Sequence, residues 1–169
     1  EESKLVAGSD GEDLFIAGDN FEGNNNILFA GSGNDEIDLA FGGINNRVDA
    51  GSGDDIIYVG NQNRVLGGEG DDKFFVQSDG GNNILSGGAG ADQFWIVSGE
   101  IPEAGNTVVD FEIGTDVIGI LGSAGLGIDS NTLELNEMDG NTEFAFGGNT
   151  LAVINGVTGL DVNTSVEFA

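Results

Sequence analysis

The stretch Ala50-Gly51-Ser52-Gly53-Asp54-Asp55-Ile56-Ile57-Tyr58 decides the fold, because its pattern recurs along the first half of the chain. A glycine-rich turn ends in an aspartate, and a short strand with an apolar centre follows. Successive final aspartates lie 22, 20, 17 and 20 residues apart. Repetition at such a period is typical of solenoid folds. The five copies of the turn occupy residues 8–13, 30–35, 50–55, 67–72 and 87–92.

A second, weaker turn built on asparagine or glutamine lies between successive copies, at residues 25–28, 45–48, 62–65 and 82–85. Each strand residue advances the chain by about 3.3 Å, so two short strands and two turns form one coil of roughly 18 residues. Stacked coils would place the aspartate turns on one edge and the asparagine turns on the other. We therefore predict an all-β fold with two parallel sheets. Nine strand centres should point inward: Phe15, Leu28, Ile37, Val48, Ile57, Val65, Phe74, Leu85 and Phe94.

The composition favours cations as partners. The chain has 169 residues, with 30 Asp and Glu against 4 Lys and Arg, which gives a formal charge of −26. Such a charge repels polyanions and argues against nucleic acid and anionic membranes as partners. No apolar run is long enough to predict a membrane span. Glycine, with 31 residues, far exceeds its usual share and must serve the turns.

The composition also excludes most familiar enzyme chemistry. With no His and no Cys, the chain has no Ser-His or Cys-His nucleophile, no zinc–thiolate cluster and no disulfide. Carboxylates are so abundant that a glycosidase-like pair would arise by chance. The G-x-G pieces lack the strand–helix context of a dinucleotide site. We therefore expect a non-enzymatic module.

The aspartate turns resemble the nonapeptide G-G-x-G-x-D-x-U-x of RTX (repeats-in-toxin) proteins, whose hemolysin-type repeats form a calcium-binding β-roll. The resemblance covers residues 8–96. Three small departures occur, since Ser9, Ala30 and Ala50 stand where the pattern has glycine. The resemblance implies a right-handed parallel β-roll, or β-solenoid, that folds when Ca²⁺ binds.

The resemblance also implies a set of calcium ligands. Each ion would lie between one aspartate turn and the next, held by an aspartate from each turn and by backbone carbonyls of the glycine positions. The carboxylates would be Asp13, Asp35, Asp55, Asp72 and Asp92, which leave four gaps for ions. The carbonyl positions would be Gly8, Gly11, Gly31, Gly33, Gly51, Gly53, Gly68, Gly70, Gly88 and Gly90.

A degenerate sixth turn is predicted at residues 111–116, where the fourth-position glycine and the final aspartate are kept. A fifth ion could then lie between Asp92 and Asp116, assisted by Asp110, so we expect four to five Ca²⁺ ions. On the opposite edge, Asn26, Asn46, Asn63 and Asn83 stand where the resembled family has aspartate. Because an amide carries no charge, we expect that edge to be poor in calcium and held by amide hydrogen bonds.

The repeat ends near residue 96, and a different pattern follows. We predict a β-roll over residues 1–96 and a β-rich cap over residues 97–169. The segments around residues 108–118 and 151–157 are similar to the capping region of secreted RTX proteins. A cap is needed because the last coil would otherwise expose an open edge and apolar core. Strands are expected at 107–111, 116–121, 132–135, 143–146 and 150–154.

The functional expectation is a C-terminal structural and secretion module that folds outside the cell. Nine inward residues form a thin core whose burial cannot offset the entropy of ordering the roll, so calcium should drive folding. By resemblance, the protein is bacterial, is exported by type I secretion machinery, and is located outside the cell or at the cell surface. We expect a monomer, with any catalytic domain upstream of Glu1.

An alternative function is recognition or adhesion. Ile16, Asp38, Tyr58, Phe75 and Trp95 share the last position of their repeats and should form one outward row. An exposed aromatic stripe of Tyr58, Phe75 and Trp95 could bind a glycan or another domain. We favour the interpretation in which the cap or an upstream domain covers this row. Burial of Trp95, by contrast, would exclude this role. Ice binding is disfavoured because no regular outward threonine row is present.

Overall fold

A computed structural model describes residues 3–16 and 23–169 of the chain. In chain order the strands are β1 Leu5–Ala7, β2 Leu14–Ile16, β3 Ile27–Ser32, β4 Glu36–Asp38, β5 Arg47–Ser52, β6 Ile56–Asn61, β7 Arg64–Glu69, β8 Lys73–Gly81, β9 Ile84–Ala89, β10 Gln93–Ser98, β11 Asn106–Val108, β12 Val117–Leu121, β13 Glu134–Met138, β14 Asn141–Phe146, β15 Asn149–Ile154 and β16 Val166–Phe168. Two single-turn helices lie in the C-terminal half, α1 Ser123–Leu126 and α2 Val162–Ser165. Neither helix has the length and apolar character needed to cross a membrane, and the described residues contain no other.

Alternate strands belong to opposite sheets, which is the arrangement of a parallel β-solenoid. One sheet has the order β1-β3-β5-β7-β9-β11-β15-β14-β13, and the other has β16-β12-β10-β8-β6-β4-β2. All pairings between repeats are parallel and bring equivalent positions of successive repeats opposite one another, as Val48↔Val65 and Ile57↔Phe74 illustrate. The predicted fold class is confirmed.

The core lies between the two sheets and consists of stacked rows. All nine predicted strand centres are buried, the most exposed being Phe15 at 6%. Phe74 and Phe94 stack with ring centroids 4.9 Å apart. A second inward row, which the sequence reading did not single out, contains Leu39, Val59 and Val76, all fully buried. Period-2 alternation along each strand explains both rows, because every second side chain faces the same layer.

Both sheets continue from the repeats into the C-terminal half. Strand β12 extends one sheet beside β10, and β11 extends the other beside β9. An antiparallel unit, β13-β14-β15, then joins the sheet that contains β11, with β15 parallel to β11. The predicted strands correspond to β11 to β15, except that residues 109–111 leave the sheet. Strand β16, which pairs with β12, carried no periodic signal and was missed.

The outward aromatic row exists, but it is not an exposed stripe. Register places Tyr58, Phe75, Trp95 and then Gly119 side by side, and the rings of Phe75 and Trp95 stack at 6.0 Å. Trp95 is only 8% exposed. The cause is Gly119, because a Cβ there would lie 2.3 Å from the indole ring. The missing side chain lets β12, a strand of the predicted cap, pack closely against Trp95. Trp95 is therefore covered, as the favoured interpretation predicts, and the exposed stripe of the alternative function is excluded.

Candidate metal centre

The aspartates that end the turns form one continuous ladder along an edge of the solenoid. In each step a backbone N–H of one aspartate donates to Oδ1 of the aspartate in the next turn. The five donor–acceptor distances run from 2.6 to 3.0 Å. In order, the ladder contains Asp13, Asp35, Asp55, Asp72, Asp92 and Asp116. The predicted sixth turn therefore continues the column.

The second carboxylate oxygen, Oδ2, has hydrogen-bond donors at the two ends of the ladder but none in its middle. Oδ2 of the four interior aspartates is buried and accepts no hydrogen bond; these are Asp35, Asp55, Asp72 and Asp92. At the first end, Oδ2 of Asp13 accepts from the backbone N–H and hydroxyl of Ser9. At the other end, Oδ2 of Asp116 accepts from the backbone N–H of Glu112, at 2.8 Å. The protein thus satisfies the two ends and leaves four buried anionic oxygens without a donor.

Burial governs the electrostatics of this column. Desolvation raises the pKa of Asp72 to about 7 and those of Asp55 and Asp92 to about 6. It also raises the pKa of Asp35 and of Asp116. The backbone hydrogen bonds described above oppose these shifts, and neighbouring carboxylates add to them. A column of buried, mutually repelling carboxylates must either take up protons or bind a cation.

Glycines bring the backbones of successive aspartate turns into close contact. At Gly68, φ is +129°, and a Cβ there would lie 2.0 Å from the carbonyl oxygen of Gly51 in the turn below. The glycine at the fourth position of the turn is equally crowded, since a Cβ on Gly70 would lie 2.2 Å from the carbonyl oxygen of Gly53. Only glycine tolerates both the positive φ and this close approach. The turns therefore stack through bare backbone, with a carbonyl presented at each step.

The first turn follows the same pattern, with serine in place of the second glycine. The carbonyl of Ser9 lies beneath Gly31, as that of Gly51 lies beneath Gly68. Gly8, at the first position, lies beside the aspartate of its own turn, where a Cβ would be 2.7 Å from Oδ2 of Asp13. The backbone of Gly11 lies beneath Gly33. The second-position carbonyl is therefore present in this turn too, and it belongs to Ser9.

The donor set suits a hard cation. Among residues 3–16 and 23–169, no three Asp or Glu side chains converge as a carboxylate cluster that could hold a metal ion. Each step of the ladder brings together aspartates from two neighbouring turns, and glycine carbonyls of one turn lie against the backbone of the next. Ca²⁺ accepts such oxygen ligands in flexible geometry, whereas Zn²⁺ prefers nitrogen and sulfur. The four buried oxygens without a donor are what such an ion would satisfy.

The opposite edge carries the same ladder with amides in place of carboxylates. The backbone N–H of Asn46 donates to Oδ1 of Asn63 at 3.0 Å, and that of Asn63 donates to Oδ1 of Asn83 at 2.8 Å. The remaining amide nitrogen is itself a donor, and Nδ2 of Asn46 reaches the carbonyl of Gly42 at 3.0 Å. At Asn46 the amide N–H therefore occupies the role that a cation would take on the aspartate edge, whereas Nδ2 of Asn63 has no acceptor. The ladder continues to Asn106, whose Oδ1 accepts from the backbone N–H of Asn83.

Asp110 lies outside the aspartate ladder. Its carboxylate accepts the backbone N–H groups of Gly87 and Gly88, at 3.0 and 3.1 Å, and the hydroxyl of Ser86. The Asp110 carboxylate thus accepts the hydrogen bonds that the backbone of a further coil would accept above the last regular turn. The sequence signal for this role was that the regular repeat ends with the turn of Asp92. The expected assistance of Asp110 to a fifth ion stays a prediction.

A second, exposed ladder runs beside the first and was not anticipated. The backbone N–H of Asp71 donates to Oδ1 of Asp54 at 2.9 Å, and the N–H of Ala91 donates to Oδ1 of Asp71 at 2.8 Å. These side chains precede the buried aspartates by one residue. The acidic or amide residues at that position could have predicted this second ladder, but the position was treated as a variable one of the repeat.

A match to a family model agrees with this geometry. Residues 22–43, 42–66 and 66–95 match the family model of the RTX calcium-binding nonapeptide repeat, with four copies. No curated protein matches the chain. Among solved structures, the extracellular lipase LipA from Serratia marcescens is 14% identical, with a TM-score of 0.42 over 100% of this chain and 40% of the lipase chain. The chain thus spans less than half the length of that lipase.

A second solved structure is the AlgE6R3 subunit of the Azotobacter vinelandii mannuronan C5-epimerase. It is 20% identical, with a TM-score of 0.40 over 96% of this chain and 81% of that subunit. The family match coincides with the coils whose aspartates carry the unsatisfied oxygens. Residues 22–95 are therefore calcium-binding repeats of the RTX family.

Proposed function

We propose that the chain is a calcium-driven folding module of an exported protein. In this proposal Ca²⁺ fills the gaps between successive aspartate turns, and the roll forms only when it does. The observation that carries the proposal is the column of four buried carboxylate oxygens without a donor, on Asp35, Asp55, Asp72 and Asp92. Each such oxygen is costly to bury unless a cation satisfies it.

The ligands in this proposal are the six ladder aspartates and the glycine-turn carbonyls. Four ions would occupy the gaps from Asp13 to Asp92, and a fifth would lie between Asp92 and Asp116. The fifth site is weaker in this scheme, because Glu112 already donates to Oδ2 of Asp116. Asp110 would close the last turn through its hydrogen bonds with Gly87 and Gly88 and would assist the fifth ion.

The biological role follows from the difference in calcium between compartments. Cytosolic calcium is far below the 10⁻⁴–10⁻³ M range at which extracellular calcium modules bind. The chain would therefore stay unfolded during type I secretion and fold outside the cell. Residues 97–169 would close the upper end of the roll as a cap. No step in this role requires catalysis by the module itself.

A calcium titration followed by far-UV circular dichroism tests the proposal, with equilibrium dialysis to count bound ions. We expect a cooperative gain of β-structure, four to five ions bound, and no transition with Mg²⁺, whose small size and octahedral preference suit these gaps poorly. Binding of one ion or none would contradict the proposal, as would an equal response to Mg²⁺.

A further inference from the structure

The asparagine edge carries a groove that the calcium ladder does not use. The groove has a volume of about 760 Å³, within the usual size of ligand sites. Its floor is the buried asparagine ladder, in which Nδ2 of Asn63 has no acceptor. Its rim carries Arg47 and Arg64, which are two of only four cationic side chains in the whole chain.

The two arginines lie side by side although their like charges repel. Register sets Arg47 directly beside Arg64 on neighbouring strands, about 4.8 Å apart, and both side chains are exposed. Like charges in such positions are destabilising. Within residues 3–16 and 23–169, neither guanidinium forms an ion pair or hydrogen bond, although the chain has 30 carboxylates and Asp49 lies on the same strand. Two adjacent, unpartnered guanidinium groups form a ready site for an oxyanion.

A row of amide side chains follows the same groove. Asn25, Asn45, Gln62 and Asn82 repeat once per coil, each exposed and each with φ between 54° and 62°. Elsewhere in the described chain the left-handed region is occupied by glycine, with Asp139 the single further exception. Glycine would adopt this conformation at lower cost. Keeping amides in four successive coils presents a line of paired donors and acceptors, which suits a ligand rich in hydroxyl groups.

Apolar side chains complete the surface. A smaller groove of about 260 Å³ adjoins the arginines and is lined partly by Ile27, Phe29 and Leu66. Phe29 and Leu66 are 49% and 36% exposed. Such a surface fits the apolar face of a sugar ring, with amides toward its hydroxyls and a guanidinium toward a carboxylate. The net charge of −26 repels densely anionic chains, which limits the occupant to one with few charges.

We propose that the asparagine edge binds a glycan that carries isolated carboxylates, held by Arg47 and Arg64. This inference concerns a surface apart from the calcium column and needs only that the module be folded. The test is an array of oligosaccharides, each present in a neutral form and in a form with a single uronate or sialic acid, probed at saturating calcium. Circular dichroism of each variant confirms that it is folded.

We expect binding to acidic members of the array and at least a tenfold weaker binding to their neutral forms. Arg64→Gln and Arg47→Gln should each remove that preference. Lys73→Gln is the matched control, because it removes a charge from the other sheet and should leave binding unchanged. The proposal is overturned if the folded chain binds no acidic glycan, if Lys73→Gln weakens binding equally, or if polyglutamate binds as tightly through the same arginines.

Discussion

Replacing Asp72 by Asn is the sharpest perturbation of the calcium column. The amide keeps an Oδ1 for the hydrogen bond from Asp55, but it removes the charge and puts a donor where the unsatisfied oxygen was. Asp72 borders two gaps, toward Asp55 and toward Asp92. If each ion binds at about 100 times its dissociation constant, it adds about 2.7 kcal/mol, so loss of both removes about 5 kcal/mol.

The same substitution should have the opposite effect without calcium. Burial raises the pKa of Asp72 to about 7, so the calcium-free roll is destabilised by this carboxylate when it is charged. Asp72→Asn should therefore leave the chain no less ordered in chelator at pH 8, while its calcium-driven transition moves to higher calcium. Far-UV circular dichroism in chelator measures the order of the calcium-free chain, and a calcium titration measures the shift of the transition. Urea unfolding at 10 mM Ca²⁺ measures the loss of about 5 kcal/mol in the calcium-bound state.

Asp71→Asn is the matched control for this experiment. It removes the same charge one residue away, at an exposed side chain whose Oδ1 accepts from Ala91. We expect a change within about 0.5 kcal/mol, as for ordinary surface substitutions. If Asp71→Asn and Asp72→Asn shift the calcium midpoint equally, general charge rather than bridging explains calcium binding, and the reasoning from the buried column fails.

Three further predictions concern the turns, the core and pH. In urea unfolding of the calcium-bound chain, Gly68→Ala should cost more than the roughly 1–2 kcal/mol of an ordinary residue in the left-handed region, because its Cβ would meet the Gly51 carbonyl. Gly148→Ala, which has open space around it, should cost only that amount. Equal costs for the two variants would contradict the stacking of the turns. Phe74→Ala should cost about 3–5 kcal/mol in the same assay, and Phe41→Ala, at a residue 87% exposed, should cost almost nothing; similar losses would refute the assigned core. Because the folded-state pKa values of Asp55, Asp72 and Asp92 are raised above 3.8, the calcium-free roll is relatively favoured at low pH and loses that advantage as pH rises through about 6–7. Calcium must displace those protons, so its titration midpoint should rise as pH falls from 8 to 5, and a pH-independent midpoint would exclude these carboxylates as ligands.

The repeat allowed the ladder to be predicted residue by residue. Period and turn chemistry placed Asp13 to Asp92 in one column, since equivalent positions of a solenoid stack on one another. Asp116 was also found, because residues 111–116 keep the glycine and aspartate of the turn. These features are local, and a repeated local pattern fixes where the chain places them.

Features that depend on distant or aperiodic contacts were not predictable. Trp95 is buried because Gly119, in a strand outside the repeat, gives it room. The satisfaction of the ladder ends by Ser9 and Glu112 depends on backbone N–H directions, which sequence patterns do not report. Strand β16 forms only through pairing with β12, and its short sequence has no periodicity of its own.

Small-angle scattering of the chain in chelator and in calcium tests the central claim most directly. For 169 residues a compact fold has a radius of gyration of about 15 Å, somewhat more for an elongated roll, and an unfolded chain about 43 Å. We expect an expanded chain in chelator that contracts to near the compact value when Ca²⁺, but not Mg²⁺, is added. A chain that stays compact after complete removal of calcium would contradict the claim that bridged carboxylates hold the fold together.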